Sequence, residues 1–597
     1  MLQKPALQAH HDGSPQYVRP VGAGLGEPVE LRLWTDLDLG VTAVHLRVVV
    51  DGEPHFTAVI PDAQAHGRQW WSVRMMLENP SVSYRFLLQT SHGALVLTGL
   101  GLFDRDVSDA HDFRLCATAQ TPAWSADAVG YQIFCDRFAA GGVEYPSPLP
   151  GWAVAADWAT PLASNTPDGV RQLYGGTLWG VIDHLDHLAD LGIDLLYLTP
   201  FFPAESNHRY DSTTFDHVDP LLGGDEALQA LCSAARERGI RVIGDLTLNH
   251  TGVHHDWFRT AQTDPTSDEA AFYHFEDDPA GPGYACFWGI PSLPKLDHRS
   301  AELRRRLYDG PDSVVARYVR DLGLSGWRID VAQSAGIHAG SDLNAEVARL
   351  TRRTLDALDP DLYLVAEIQH DASAALQGDG WQGTMAYSWF TRPVWSWLAG
   401  ADVESQWGVP VSFARLDGAA MVAQMDEFTS QVPWSARQAS LTLLDSHDTA
   451  RFHTVAGGSD VQLTGIAMMM ALPGIPMLFA GDEYGVDGTG LEDSRRPFPW
   501  GGPCDETLHA AVRLLVALRR EHPALSRGSM RWVEVTPDAV LFERTLDDEQ
   551  ILVQVARCDH APLRADRGLV SLLGGVHVEA GEALPSGPGY GIWAVRA

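Results

Sequence analysis

The chain has 597 residues, 45% of them apolar and 20% charged, a composition that excludes disordered and fibrous classes and a length that calls for more than one hydrophobic core. Its formal net charge of -34, spread along the chain, repels phosphate backbones and anionic lipid, so no nucleic-acid and no membrane partner is expected, whereas a neutral sugar is tolerated. Six cysteines lie far apart with no CxxC pair and no zinc-like spacing, which predicts free buried thiols.

The amino terminus, through His10-His11-Asp12, has no apolar run of signal-peptide length, and no segment approaches a membrane span, so a cytoplasmic location is expected. The first ~120 residues alternate apolar and polar positions over 44–48, 70–77 and 82–88, with the turn dipeptide Asp51-Gly52 between, and this predicts a β-sandwich domain over 1–122. From Val129 onward, short apolar runs alternate with amphipathic stretches such as 181–191 and 303–322. The candidate strands are 129–134, 195–199, 241–246, 326–330, 362–367, 384–387, 441–445 and 476–480. Eight such strands predict an α/β fold of the (β/α)8 TIM-barrel type over 123–527. The third strand is followed by a long insertion, 251–300, rich in Asp, Pro, Gly and aromatics, and insertions of that length are usually functional. After a helix over 506–521, the segments 530–535, 539–543 and 550–555 predict a small C-terminal antiparallel β domain, 528–597.

A βα barrel performs chemistry at the carboxyl ends of its strands. Four of these ends carry acids: Asp245 to His250, Gly326 to Asp330, Leu364 to Glu367, and Leu444 to Asp448. Any one of them alone would read as a cap or a solvated turn acid; four at one end of one barrel would not. Arg328 and Asp330, two apart on a strand, share a face. The guanidinium is expected to lower the Asp330 pKa and keep it ionised, as a nucleophile requires. Glu367, with Asp330 and Asp448 near it, is expected to have a raised pKa and to donate a proton. That division of labour suits cleavage of a glycosidic bond.

These strand ends resemble the α-amylase family of glycoside hydrolases, and the resemblance extends to Tyr210-Asp211, to Gly474-Ile475-Pro476 and to Gly481-Asp482-Glu483, covering roughly 129–500. It implies that Asp330 is the nucleophile, Glu367 the acid/base and Asp448 the third acid, with Tyr210, His250, Arg328 and His447 holding the sugar. The flanking β domains resemble those of the cyclomaltodextrinase, neopullulanase and maltodextrin glucosidase branch. Leu293 to Asp297, Gly336 to Asn344 and Arg495 to Trp500 are most similar to maltodextrin glucosidases. The activity so implied is a retaining α-1,4-glucosidase acting on maltodextrins. Neopullulanase, cyclomaltodextrinase and glucan transferase are the alternatives. A non-catalytic barrel used for binding would be expected to have lost one of the three acids. In the resembling branch dimers are common, so a homodimer is expected, with the N-terminal domain covering part of its own or a partner's barrel mouth.

Several features carry no site. His250, His254 and His255 lack HExxH spacing, so no metal is assigned to them. Asn249-His250-Thr251 is a sequon at a barrel mouth without a secretion signal. Gly22 to Gly26 lacks dinucleotide-motif spacing. No cofactor is expected; calcium, bound near the Asn249 position in some related amylases, finds no dense acidic loop here. Trp288, in the insertion, differs from these: it is expected to bind substrate by stacking on a sugar, with packing of its own loop as the alternative.

Overall fold

The structure is a computed structural model and describes residues 8–117, 121–143, 148–164, 166, 168–276, 281–399, 414–502 and 504–596. Among these, eight parallel strands form one sheet: β1 (Gly130–Ile133), β2 (Leu195–Leu198), β3 (Arg241–Thr247), β4 (Gly326–Asp330), β5 (Tyr363–Ala366), β6 (Gly383–Thr384), β7 (Leu441–Leu443) and β8 (Ile475–Phe479). Spatial order follows chain order. β1 pairs with both β2 and β8, and a parallel bridge from Met385, just past β6, to Leu441 closes the ring.

Closure gives every strand an inner and an outer face, and side-chain alternation decides which residues occupy each. Leu195, Tyr197, Ile243, Tyr363, Val365, Leu441, Leu443, Ile475 and Met477 pack together as the barrel interior. The intervening Leu196, Val242, Trp327, Ile329 and Leu364 belong to the larger core shared with the helices. The same alternation, continued to the carboxyl ends, puts Asp245 in register with Ile243, Asp330 with Arg328, and Glu367 with Val365. Gly326 begins β4 at φ 144, where a Cβ would lie 1.8 Å from the Tyr363 carbonyl oxygen. The close approach of β4 to β5 therefore requires glycine at this position.

The eight strands match their sequence counterparts with small boundary shifts. The sixth differs most, since pairing stops at Thr384 and Tyr387–Thr391 winds into a π-helical turn. The stretch 181–191 is two helices, Leu178–Asp183 and Leu185–Leu191, broken at His184. The stretch 303–322 is likewise split into Ala301–Leu307 and Val314–Leu322. Gly310 at φ 108 and the Ser313 cap, which accepts from Ala316 N–H, start the second helix afresh. Apolar periodicity runs through such breaks because both halves bury the same face.

The insertion after β3 is strapped back onto the strand it leaves. His250 bridges to Lys295 and Cys286 to Pro294. His298 Nε2 lies 2.7 Å from the Leu248 carbonyl, and its Nδ1 lies 3.0 Å from Tyr308 Oη.

The N-terminal domain is a ten-stranded antiparallel sheet. Its strand Glu53–Ala65 pairs along one half with Val41–Val50 and along the other with Arg68–Met76, which folds the sheet over a core that includes Leu31, Leu46, Tyr84 and Phe86. It docks through hydrogen bonds from Arg114 to Gln377 and from Met530 N–H to Asp12, and through a His111–Ser430 contact. None of these contacts involves the acid-bearing strand ends. The C-terminal domain is a six-stranded antiparallel sheet that includes Ser529–Val535, Ala539–Leu546 and Glu549–Ala556. Cys135 and Cys232 are buried as expected, but Cys504 and Cys558 are exposed, each outside the named helices and strands. Among the described residues, no helix is long and apolar enough to cross a membrane.

Candidate active site

Arg328, fully buried at the end of β4, organises the barrel mouth. Its Nη1 donates to Asp245 at 2.9 Å and to Asp330 at 3.1 Å, and its Nη2 lies 3.0 Å from Glu367 Oε2 and 3.9 Å from Asp448 Oδ2. Acids from the ends of β3, β4, β5 and β7 therefore meet at one guanidinium, a planar fork suited to several carboxylates at once.

Each acid has further partners. Asp245 accepts from Tyr197 Oη at 2.6 Å and from Tyr210 Oη at 2.8 Å. Glu367 Oε2 accepts from Val331 N–H at 2.8 Å, and its Oε1 accepts from Gln369 Nε2 at 3.0 Å. Asp448 lies 3.3 Å from His447 Nε2 and 3.5 Å from Arg495 Nη2. Tyr210 stacks on His447 with ring centroids 5.6 Å apart, and its hydroxyl lies 2.6 Å from His447 Nε2. Gln132 on β1 fixes His447 from below through contacts to Nδ1 and to the backbone N–H. His250 Nε2 approaches Asp330 Oδ2 at 4.0 Å, and the ring stacks on Phe287.

The electrostatics differ from the sequence expectation at Asp330. Burial drives its carboxyl well above the usual carboxylate range; Arg328 opposes the rise, while Glu367, Asp245 and Asp448 add to it. Burial likewise raises Asp245 to about 6 against the pull of Arg328. One guanidinium shared among several acids cannot hold Asp330 low, as a dedicated pair would. Burial also lowers His447, with Arg495 and Arg328 adding, and lowers His250 to about 3, so both rings are neutral at pH 7.

A model of the α-amylase catalytic domain matches residues 132–532. The chain belongs to the α-amylase family. It is a glycoside hydrolase of that family, similar to a cyclomaltodextrinase of Geobacillus thermopakistaniensis at 31% identity over 88% of each chain. It is also similar to neopullulanase 2 of Thermoactinomyces vulgaris, at 32% identity over 79% of this chain and 77% of the relative. A solved cyclomaltodextrinase structure superposes with a TM-score of 0.72 at 26% identity, covering 99% of both chains.

In this α-amylase-family chain, Asp330, Glu367, Asp448, Tyr210, His250, Arg328 and His447 come together in one mouth. Trp288 stands at its rim instead, 70% exposed, in contact with Phe287, which stacks on His250. The cluster also holds Gln132 and Tyr197, which the sequence does not single out, Asp245, which it marks only as a strand-end acid, and Arg495, which it marks only at the head of the Arg495 to Trp500 segment. The inward register of Asp245 with Ile243 marks it from sequence. Arg495 directly follows the 3-10 turn Leu491–Ser494, and no spacing identifies it as part of the cluster.

Proposed function

We propose that this chain is a retaining hydrolase of α-1,4-glucosidic bonds in short maltodextrins, with Asp330 as nucleophile and Glu367 as acid/base. The observation that carries this reading is the pair of carboxylates, from adjacent strands β4 and β5, facing one buried guanidinium. In the first step Asp330 attacks the anomeric carbon as the glycosidic C–O bond breaks, and Glu367 gives its proton to the leaving oxygen. In the second, Glu367 takes a proton from water, whose oxygen displaces Asp330 and releases the sugar with its α configuration kept. The reading requires Asp330 ionised when substrate is bound, with Arg328 at 3.1 Å opposing the rise that burial imposes. Asp448, with His447 and Arg495, holds ring hydroxyls, and Tyr210 offers its ring as a platform; Trp288 at the rim is an additional stacking surface.

For specificity, the reading is removal of glucose from chain ends, as in maltodextrin glucosidases. The hairpin of Ile337–His338 and Ser341–Asp342 reaches the long β3 insertion, with His338 Nε2 2.8 Å from Glu276 Oε1. In this reading the contact closes one side of the sugar-binding cleft and so favours short, flexible substrates. The names of the relatives favour a second reading, ring opening of cyclomaltodextrins and cleavage of pullulan. Products from maltoheptaose, taken before about a tenth is consumed so that initial rates hold, separate the two. Glucose with maltohexaose supports end trimming; maltose as main product, or fast opening of β-cyclodextrin with panose from pullulan, supports the second. A homodimer belongs to the same proposal, supported by Phe56 and Ile60 on the strand Glu53–Ala65, which are 59% and 67% exposed.

A further inference from the structure

The loop after β7 carries His447 and Asp448 between two anchors, and both anchors end on one residue of the loop after β8. The first anchor is Asp445 and the second Arg451, both buried. Phe452 N–H donates to Asp445 Oδ2 at 2.5 Å, closing the loop on itself. Arg451 Nη1 donates to Asp482 Oδ1 at 2.9 Å, its Nη2 to the Ala480 carbonyl at 2.8 Å and its Nε to the Ser494 carbonyl at 2.9 Å. Asp482 Oδ2 is held by Phe479 N–H at 2.8 Å. The remaining Asp445 oxygen, Oδ1, is buried and accepts from no N–H or O–H among the described residues. The Asp445 carboxyl is nonetheless in hydrogen-bonding contact with that of Asp482.

Two buried carboxyl groups in contact need a hydrogen between them, because neither oxygen can donate when both are ionised. One proton supplies the missing donor and leaves a single negative charge, which Arg451 matches. Burial and the Asp445 charge accordingly hold Asp482 well above the usual carboxylate range, against Arg451. From the helix Ser459–Ala471, the group facing Asp482 is the neutral Gln462, whose Nε2 donates to the Asp482 carbonyl at 3.0 Å. Glu483 is directed elsewhere, accepting from Tyr131 Oη and Gly481 N–H and contacting His187.

We propose that Asp445 and Asp482 are positioning residues, which fix the β7 loop, and with it His447 and Asp448, through one shared proton and the Arg451 bridge. This rests on the reading of Asp448 as an active-site acid. The proton belongs to the pair rather than to either member. An amide in place of either carboxyl donates N–H to the other and makes the bridge independent of that proton.

The test uses an aryl maltoside whose leaving group needs no protonation, so the Glu367 proton does not limit cleavage. Wild-type kcat should fall by about tenfold or more at alkaline pH, whereas Asp482→Asn should stay within about threefold of its neutral value. Asp445→Asn serves the same purpose should Asp482→Asn not fold. Asp482→Leu, similar in size but unable to bridge, should lose about tenfold or more in kcat at neutral pH with KM nearly unchanged. Coincident pH profiles for wild type and both Asn variants, or wild-type kcat in Asp482→Leu, would overturn the proposal. Infrared difference spectra of the full chain give a readout independent of turnover. A protonated-carboxyl band present in wild type and lost in Asp482→Asn supports the shared proton, and its absence from wild type contradicts it. An enzyme inert on the aryl maltoside at every pH would count against the assignment of Asp330 and Glu367 and leave the infrared result to decide the bridge.

Discussion

Arg328 is in contact with acids from four strands, and this arrangement couples catalysis to stability at single residues. Because burial raises the Asp330 pKa, the folded state holds a proton there at pH values where the unfolded chain has released it. Stability contributed by this group is therefore present at low pH and declines as pH rises through the folded pKa. Asp330→Asn removes that burden. The variant should lose about 10³-fold or more in kcat, since an amide cannot form the glycosyl ester. Its melting temperature should match or exceed that of wild type, with the gap widening as pH rises above the ordinary carboxylate range when followed by calorimetry. A variant that melts well below wild type at pH 8 would mean that the Arg328 pairing outweighs burial. Glu367→Gln should fail on maltodextrins and recover in part on a substrate whose leaving group needs no proton; equal impairment on both would count against its role as acid.

At the scale of elements, the barrel depends on close strand contacts that only certain residues permit. Gly326→Ala puts a Cβ 1.8 Å from the Tyr363 carbonyl at a left-handed φ, so β4 and β5 must part. The expected loss, measured by urea unfolding, is about 2 kcal/mol or more; wild-type stability would contradict this account of the β4–β5 approach. Much of this architecture was legible in the sequence. Apolar runs of strand length located all eight strands, and two-residue alternation put Arg328 and Asp330 on one face, because both signals are local. The breaks at His184 and around Gly310 were hidden, since turn chemistry interrupts a helix without interrupting its apolar face. The raised Asp330 pKa was hidden too, because it depends first on burial at the barrel mouth and then on Glu367, Asp245 and Asp448 from other strand ends. Arg495 and the Asp445–Asp482 pair are long-range contacts between loops, on which periodicity is silent.

At the scale of the molecule, the N-terminal sheet binds its own chain beside the barrel and at the C-terminal domain, and leaves Phe56 and Ile60 on an exposed strand. Exposed apolar groups on an antiparallel strand favour a second chain. Light scattering should therefore find a dimer at micromolar concentration, and a monomer throughout the concentration range would contradict that expectation. The barrel, its insertion and the loops after β7 and β8 serve one purpose in this account, which is to present Asp330 to an anomeric carbon. The most direct measurement of that claim is mass spectrometry of Glu367→Gln after incubation with an activated maltosyl fluoride, which can form the ester but has lost the base that clears it. The account predicts one glycosyl unit attached to the peptide that contains Asp330. A glycosyl unit on any other residue, or turnover of the fluoride with no covalent label on the protein, would contradict it.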